Sequence, residues 1–87
     1  MTRFQALMAK REKVPTLIIS FKTTTNAIAA EKFVLENELP GRIIPLPREV
    51  SSGCGLSWKA KPEEEEMLVA ALNDNNLAYA GTHIVTI

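Results

Sequence analysis

Two prolines in one strand-like hexapeptide constrain this chain more than any other feature. Residues 42–47 read Arg-Ile-Ile-Pro-Leu-Pro. Proline donates no ladder hydrogen bond, so a strand carrying Pro45 and Pro47 belongs at a sheet edge. Residues 16–22 (Thr-Leu-Ile-Ile-Ser-Phe-Lys) are β-branched and aromatic, free of proline, and suit an interior strand. Leu17, Ile19 and Phe21 share one of its faces, and Ile18, Ser20 and Lys22 the other. Residues 56–61 alternate cleanly, with Leu56, Trp58 and Ala60 inward and Ser57, Lys59 and Lys61 outward. Trp58 reads as the core anchor of that strand. A last strand spans residues 78–87.

Two helices separate these strands. Any of Thr23, Thr24 and Thr25 can cap the first by accepting an orphan backbone N–H. The spacing predicts a helix over about residues 26–39, with Ala27, Ala30 and Val34 aligned, Leu35 nearby, and Pro40 and Gly41 as its stop. Pro62 followed by Glu63, Glu64, Glu65 and Glu66 opens the second, because proline suits the first helical position and acids meet the positive end of the dipole. A solvated first turn explains that acidic run better than a metal or partner site does. Leu68, Ala71 and Leu72 supply its buried stripe, and residues 73–76 (Asn-Asp-Asn-Asn) end it.

The order strand, helix, strand, strand, helix, strand within 87 residues predicts an α+β fold. The expected form is a ferredoxin-like βαββαβ two-layer sandwich with an antiparallel sheet in the order 4-1-3-2. That order puts the proline-bearing strand on an edge and the apolar first strand in the middle. No third layer covers the other sheet face. Ile18, Ile43, Val85 and Ile87 are expected there, and such a patch predicts a homodimer through it. Residues 1–14 stand apart as a basic extension, with Arg3, Lys10, Arg11 and Lys13 against Glu12. Phe4, Leu7 and Met8 have helical spacing, but a loose terminal extension is the favoured reading. Residues 15–87 form the single domain.

Charge and cysteine count exclude several functions. Ten Lys and Arg balance ten Asp and Glu, so the broad basic footprint of a nucleic-acid binder is missing. Tyr79 lacks basic and aromatic company, which makes base stacking a weak reading. No apolar run approaches the roughly 20 residues of a membrane span. One cysteine and one histidine make neither an intrachain disulfide nor a structural zinc site. A soluble, cytoplasmic protein without a cofactor is the expectation.

Function concentrates in residues 47–55, Pro-Arg-Glu-Val-Ser-Ser-Gly-Cys-Gly. Hairpins usually need two to five linking residues, so this connection is longer than geometry demands. Gly53 and Gly55 flank the only thiol, Cys54, and free the backbone there. Ser51 and Ser52 offer hydroxyls, Arg48 a positive charge and Glu49 a partial offset. In the expected topology this loop shares one end of the sheet with Lys22, Thr24 and the start of the first helix. A helix N-terminus and a nearby lysine both favour a thiolate. Three readings follow: a reactive thiol, a site for a phosphate, sulfate or small anionic metabolite, and a structural hairpin with a buried cysteine. An ordinary enzyme is disfavoured, since only Glu49 is placed near Cys54 as an acid–base group. His83 lies several residues along its strand, and no spacing argument brings it to the thiol.

The string from Ile44 to Leu56, Ile-Pro-Leu-Pro-Arg-Glu-Val-Ser-Ser-Gly-Cys-Gly-Leu, resembles the selenium/sulfur carrier protein-like family. The family's Pro-Arg-Glu-hydrophobic-Ser-Ser-x-Cys-Gly motif stands complete in it. Similarity extends through the first strand, the threonine-rich helix start, Ala27, Glu31 and Lys32, over about residues 16–87. The family is a small bacterial and archaeal domain. The resemblance implies that Cys54 carries sulfur or selenium as a persulfide or selenopersulfide. It would be loaded by a donor enzyme such as a cysteine desulfurase and unloaded by an acceptor protein. The Cys-Pro-x-Pro signature of other small sulfur-relay carriers is absent from the sequence. Under this reading Arg48 stabilises the terminal anion, Ser51 and Ser52 hydrogen-bond it, the glycines leave room for a docking enzyme, and Glu49 orients Arg48 or meets a partner's base.

Overall fold

A computed structural model describes residues 13–50 and 54–87. The extension at residues 1–12 and the loop residues Ser51, Ser52 and Gly53 lie outside the described residues. Strand β1 (Pro15–Ser20) leads to helix α1 (Thr24–Glu36), then to β2 (Arg42–Pro45) and β3 (Leu56–Ala60). A 3-10 turn (Pro62–Glu64) runs into α2 (Glu65–Asp74), and β4 (Gly81–Thr86) closes the chain. The four strands form one antiparallel sheet in the order β2-β3-β1-β4, which counted from the β4 edge is 4-1-3-2. The proline-bearing β2 is therefore an edge strand, and the apolar β1 is central. No helix among the described residues is long and apolar enough to cross a membrane.

Both helices pack on one sheet face. Leu17, Ile19, Phe21, Trp58 and Ala60 from the strands bury against Ala27, Ala30 and Val34 of α1 and Leu68 and Leu72 of α2. Trp58 is 2% exposed, and its Nε1–H donates to Pro40 O at 3.0 Å. That bond ties the end of α1 to the core. Gly41 lies against the indole with φ at +108°, where an added Cβ would run into Trp58 Nε1. The chain can pass there only as glycine.

Both helices end the same way. Glu38 and Asn76 take positive φ (53° and 56°). The next residue's N–H then returns five positions, Leu39 to Val34 O and Leu77 to Leu72 O, both at 2.9 Å. These are left-handed caps of the Schellman kind, with the trailing leucine packed on the core. They stop α1 at Glu36, ahead of Pro40 and Gly41. Leu35 points outward, at 63% exposed.

The other sheet face is not as open as the strand pattern implies. Ile18, Val85 and Val50 form a second buried cluster there, with Ile44, Leu46 and Ile87 packed around it. Val50 comes from the loop after β2 and covers Ile18, which is fully buried. Ile43 does not join this face. It pairs with Trp58 and packs on the helix side, and Ile44, opposite Ser57, takes its place. The apolar area left for a second copy is correspondingly smaller.

Several boundaries shift by one to three residues. The β2 strand stops at Pro45, although Leu46 N–H still reaches Gly55 O at 2.8 Å. The β4 strand begins at Gly81. Val14 exchanges two backbone bonds with Ile87 (3.1 Å each), so the sheet starts one residue inside the expected extension. The acidic run is more than a solvated turn. Glu64 Oε1 accepts the Lys61 backbone N–H at 2.8 Å, and Glu65 Oε2 accepts the Thr82 hydroxyl at 2.8 Å, fastening α2 to β4.

Candidate functional site

The site grows from the end of β1. After Ser20 the strand leaves the ladder at Phe21, whose side chain is buried and whose carbonyl points along the sheet rim. The backbone N–H of Cys54 donates to that carbonyl at 3.2 Å. That bond ties the only cysteine to Phe21 at the end of β1, one residue before Lys22 and three before the first residue of α1. Thr23 Oγ1 accepts the Asn26 N–H at 3.1 Å, and Thr23 O accepts the Ala27 N–H at the same distance. Thr23 is therefore the cap, and Thr24 is the first helical residue. The N–H groups of Thr24 and Thr25 are the first-turn donors that this cap leaves unclaimed.

Cys54 is half-buried and is the chain's single free thiol. Its side chain packs against the helix-side core, and Sγ donates weakly to Leu56 O at 3.9 Å. It lies neither open to solvent on all sides nor sealed beneath Trp58. Gly55, next in the chain, has φ at +85°, a conformation that disfavours any side chain.

The rest of the loop divides between solvent and core. The Val50 N–H donates to Pro47 O at 3.0 Å, closing a turn with Arg48 and Glu49 at its tip, both exposed. Val50 then plunges to 5% exposure over Ile18 and Val85. This anchor is a residue that reading the loop for chemistry overlooks, although a lone valine among polar residues was its signal. Lys22 and Thr24 are exposed at the same rim as Cys54. His83 is cross-strand partner to Ile18, on the face opposite the core against which Cys54 packs. It does not form a Cys–His pair with the thiol.

An antiparallel sheet with both helices on one face, and a lone half-buried cysteine at the rim beside a helix start, defines a small single-thiol α+β domain. The chain belongs to the family described as "Putative Se/S carrier protein-like", which matches residues 16–84. No curated protein and no solved structure matches it.

Proposed function

We propose that the protein is a sulfur or selenium carrier that holds its cargo on Cys54. One observation carries this reading: the sole thiol of a member of this family is tied by its own backbone N–H to the Phe21 carbonyl at the end of β1, three residues before α1 begins. Loading is a thiol exchange. The Cys54 thiolate attacks the outer sulfur of a donor's persulfide, the donor's S–S bond breaks, and the donor's inner sulfur leaves as thiolate. Unloading is the same step with an acceptor thiolate attacking the outer sulfur. No electrons are gained or lost overall, and no second cysteine resolves the charged form into a disulfide. A selenopersulfide follows the same balance.

The chain's own groups then have definite work. The N–H groups at Thr24 and Thr25, which the Thr23 cap does not take, supply with Lys22 positive potential at the rim for a terminal anion. Arg48, exposed on its turn, is free to swing toward cargo or partner. Ser51 and Ser52 remain hydrogen-bond candidates by sequence. The matching fold reading is the ferredoxin-like sandwich, supported by the βαββαβ order and the central placement of β1 and β3.

The test is intact mass after incubation with a cysteine desulfurase and cysteine. The expected result is a gain of one sulfur atom, removed by reductant and absent in Cys54→Ser. A reactive thiol that never gains sulfur from any persulfide donor would refute the carrier reading. Calorimetric binding of phosphate or sulfate at equal strength by Cys54→Ser would favour the anion-site alternative.

A further inference from the structure

At the end of the sheet opposite Cys54, β1 and β2 begin and β3 ends, and these termini border a recess of about 570 Å³. Pro15, Pro40 and Ala60 give it apolar walls, while Arg42, Lys59 and Lys61 line it with positive charge. Arg42 is the direct cross-strand partner of Lys59, and Lys61 follows two residues on in extended backbone. Like charges opposed across antiparallel strands repel one another. Among the described residues of the lining the one acid is Glu64, which accepts the Lys61 backbone N–H. Arg42 and Lys61 are exposed and Lys59 is half-buried, so packing does not require these cations.

We propose that this recess is a docking site for an extended acidic segment of a partner protein. Lys59 and Lys61 are two steps apart on strand-like backbone, roughly 6.6–6.8 Å along it. An extended peptide with acids at alternate positions repeats at the same interval. Arg42, about 5 Å across the ladder, offers a guanidinium fork to one of those carboxylates. The charges are spread over two strands instead of converging on a point, which suits a strand-like occupant better than a compact ion. Residues 1–13 of the chain itself carry four cations against one acid, a composition opposite to that of the acidic occupant proposed. The site stands independently of the thiol chemistry. A partner held here leaves the Cys54 rim, at least five residue steps away along β3, free to react.

The experiment is an amide NMR titration of the full chain with a peptide alternating Glu and Val. A matched Gln/Val peptide and inorganic phosphate serve as comparators. The Glu/Val peptide is expected to move the resonances of Arg42, Lys59 and Lys61, and to weaken steeply with salt. Affinity should fall about tenfold or more, a loss of 1.4 kcal/mol, in the double variant Arg42→Gln/Lys59→Gln and in Lys59→Glu. Each variant's spectrum reports whether it is folded, and Lys59→Glu replaces a repulsive pair by an attractive one, so the fold should hold. Equal binding of the Gln/Val peptide, unchanged affinity in folded variants, shifts confined to other residues, or no shift at all would overturn the proposal. Saturable phosphate binding at the same residues that displaces the peptide would overturn it in favour of a small-anion site.

Discussion

The backbone N–H of Cys54 donates to the carbonyl oxygen of Phe21 across 33 positions of sequence, at 3.2 Å. This bond fastens the long β2–β3 connection to the end of β1. It also sets the thiol next to the residues that begin α1. The cysteine's place therefore depends on the sheet order, not on its immediate neighbours in the chain. Val50 supplies a second fixing point, on the opposite face of the same sheet.

Tethered to Phe21 and half-buried, Cys54 should react with iodoacetamide in native buffer, and faster in denaturant. Val50→Ala removes two buried carbons at a site 5% exposed and should cost about 1–2 kcal/mol. Because Val50 holds the loop, the same variant should label faster at Cys54 under native conditions. Labelling rates followed by intact mass check this. An unchanged rate in a folded Val50→Ala protein would mean that the valine stabilises the sheet without governing the loop.

Alanine should destabilise two glycine positions to different degrees. Gly55 has φ at +85°, and among the described residues nothing lies within 4 Å of an added Cβ. Gly55→Ala should therefore cost only the backbone penalty, about 1–2 kcal/mol, while disturbing the conformation beside Cys54. Gly41 combines φ at +108° with contact against Trp58, so Gly41→Ala should cost about 3 kcal/mol or more. Urea denaturation of both variants ranks them. The distinctive outcome is altered thiol labelling in Gly55→Ala with most stability retained.

Thr23 and Thr24 separate a structural role from a binding one. Thr23→Ala deletes the hydroxyl that accepts the Asn26 N–H and should lose about 1 kcal/mol. Thr24→Ala, at an exposed first helical position, should lie within about 0.5 kcal/mol of the parent. Thermal melts distinguish the two. Equal losses would place the cap elsewhere than on Thr23.

What was legible in the sequence follows from which interactions are local. Alternation around Trp58, the prolines at 45 and 47 and the proline–glutamate start before α2 are short-range signals, and they locate the core strand, the edge strand and the second helix. The end of the sheet holding Cys54 follows from element order alone. Ile43 is expected on the open face, but its pairing with Trp58 turns it to the helix side and leaves that place to Ile44, opposite Ser57, a register no local pattern reveals. Val50 was read as loop because its burial comes from Ile18 and Val85, more than thirty residues away in each direction. The three threonines were equivalent until backbone geometry chose Thr23. The basic recess was hidden for the same reason, since Arg42 and Lys59 meet only across the ladder.

The paired helix ends offer a quantitative check on the fold itself. Glu38 holds φ at 53° and carries a Cβ there, which costs an L-residue about 1–2 kcal/mol. Glycine avoids that penalty but loses roughly 0.5–1 kcal/mol of unfolded-chain entropy. The net expectation for Glu38→Gly is a gain of about 0.5–1 kcal/mol, or roughly 2–8 °C in Tm for a domain this size. Asn76 sits at φ 56°, but asparagine tolerates the left-handed region, so Asn76→Gly should gain less. Thermal unfolding of the two variants, followed by circular dichroism, should therefore rank Glu38→Gly above Asn76→Gly and both at or above the parent. A loss of stability in Glu38→Gly would show that α1 does not end in the left-handed cap, and that the return of the Leu39 N–H to Val34 O is not what stops the helix.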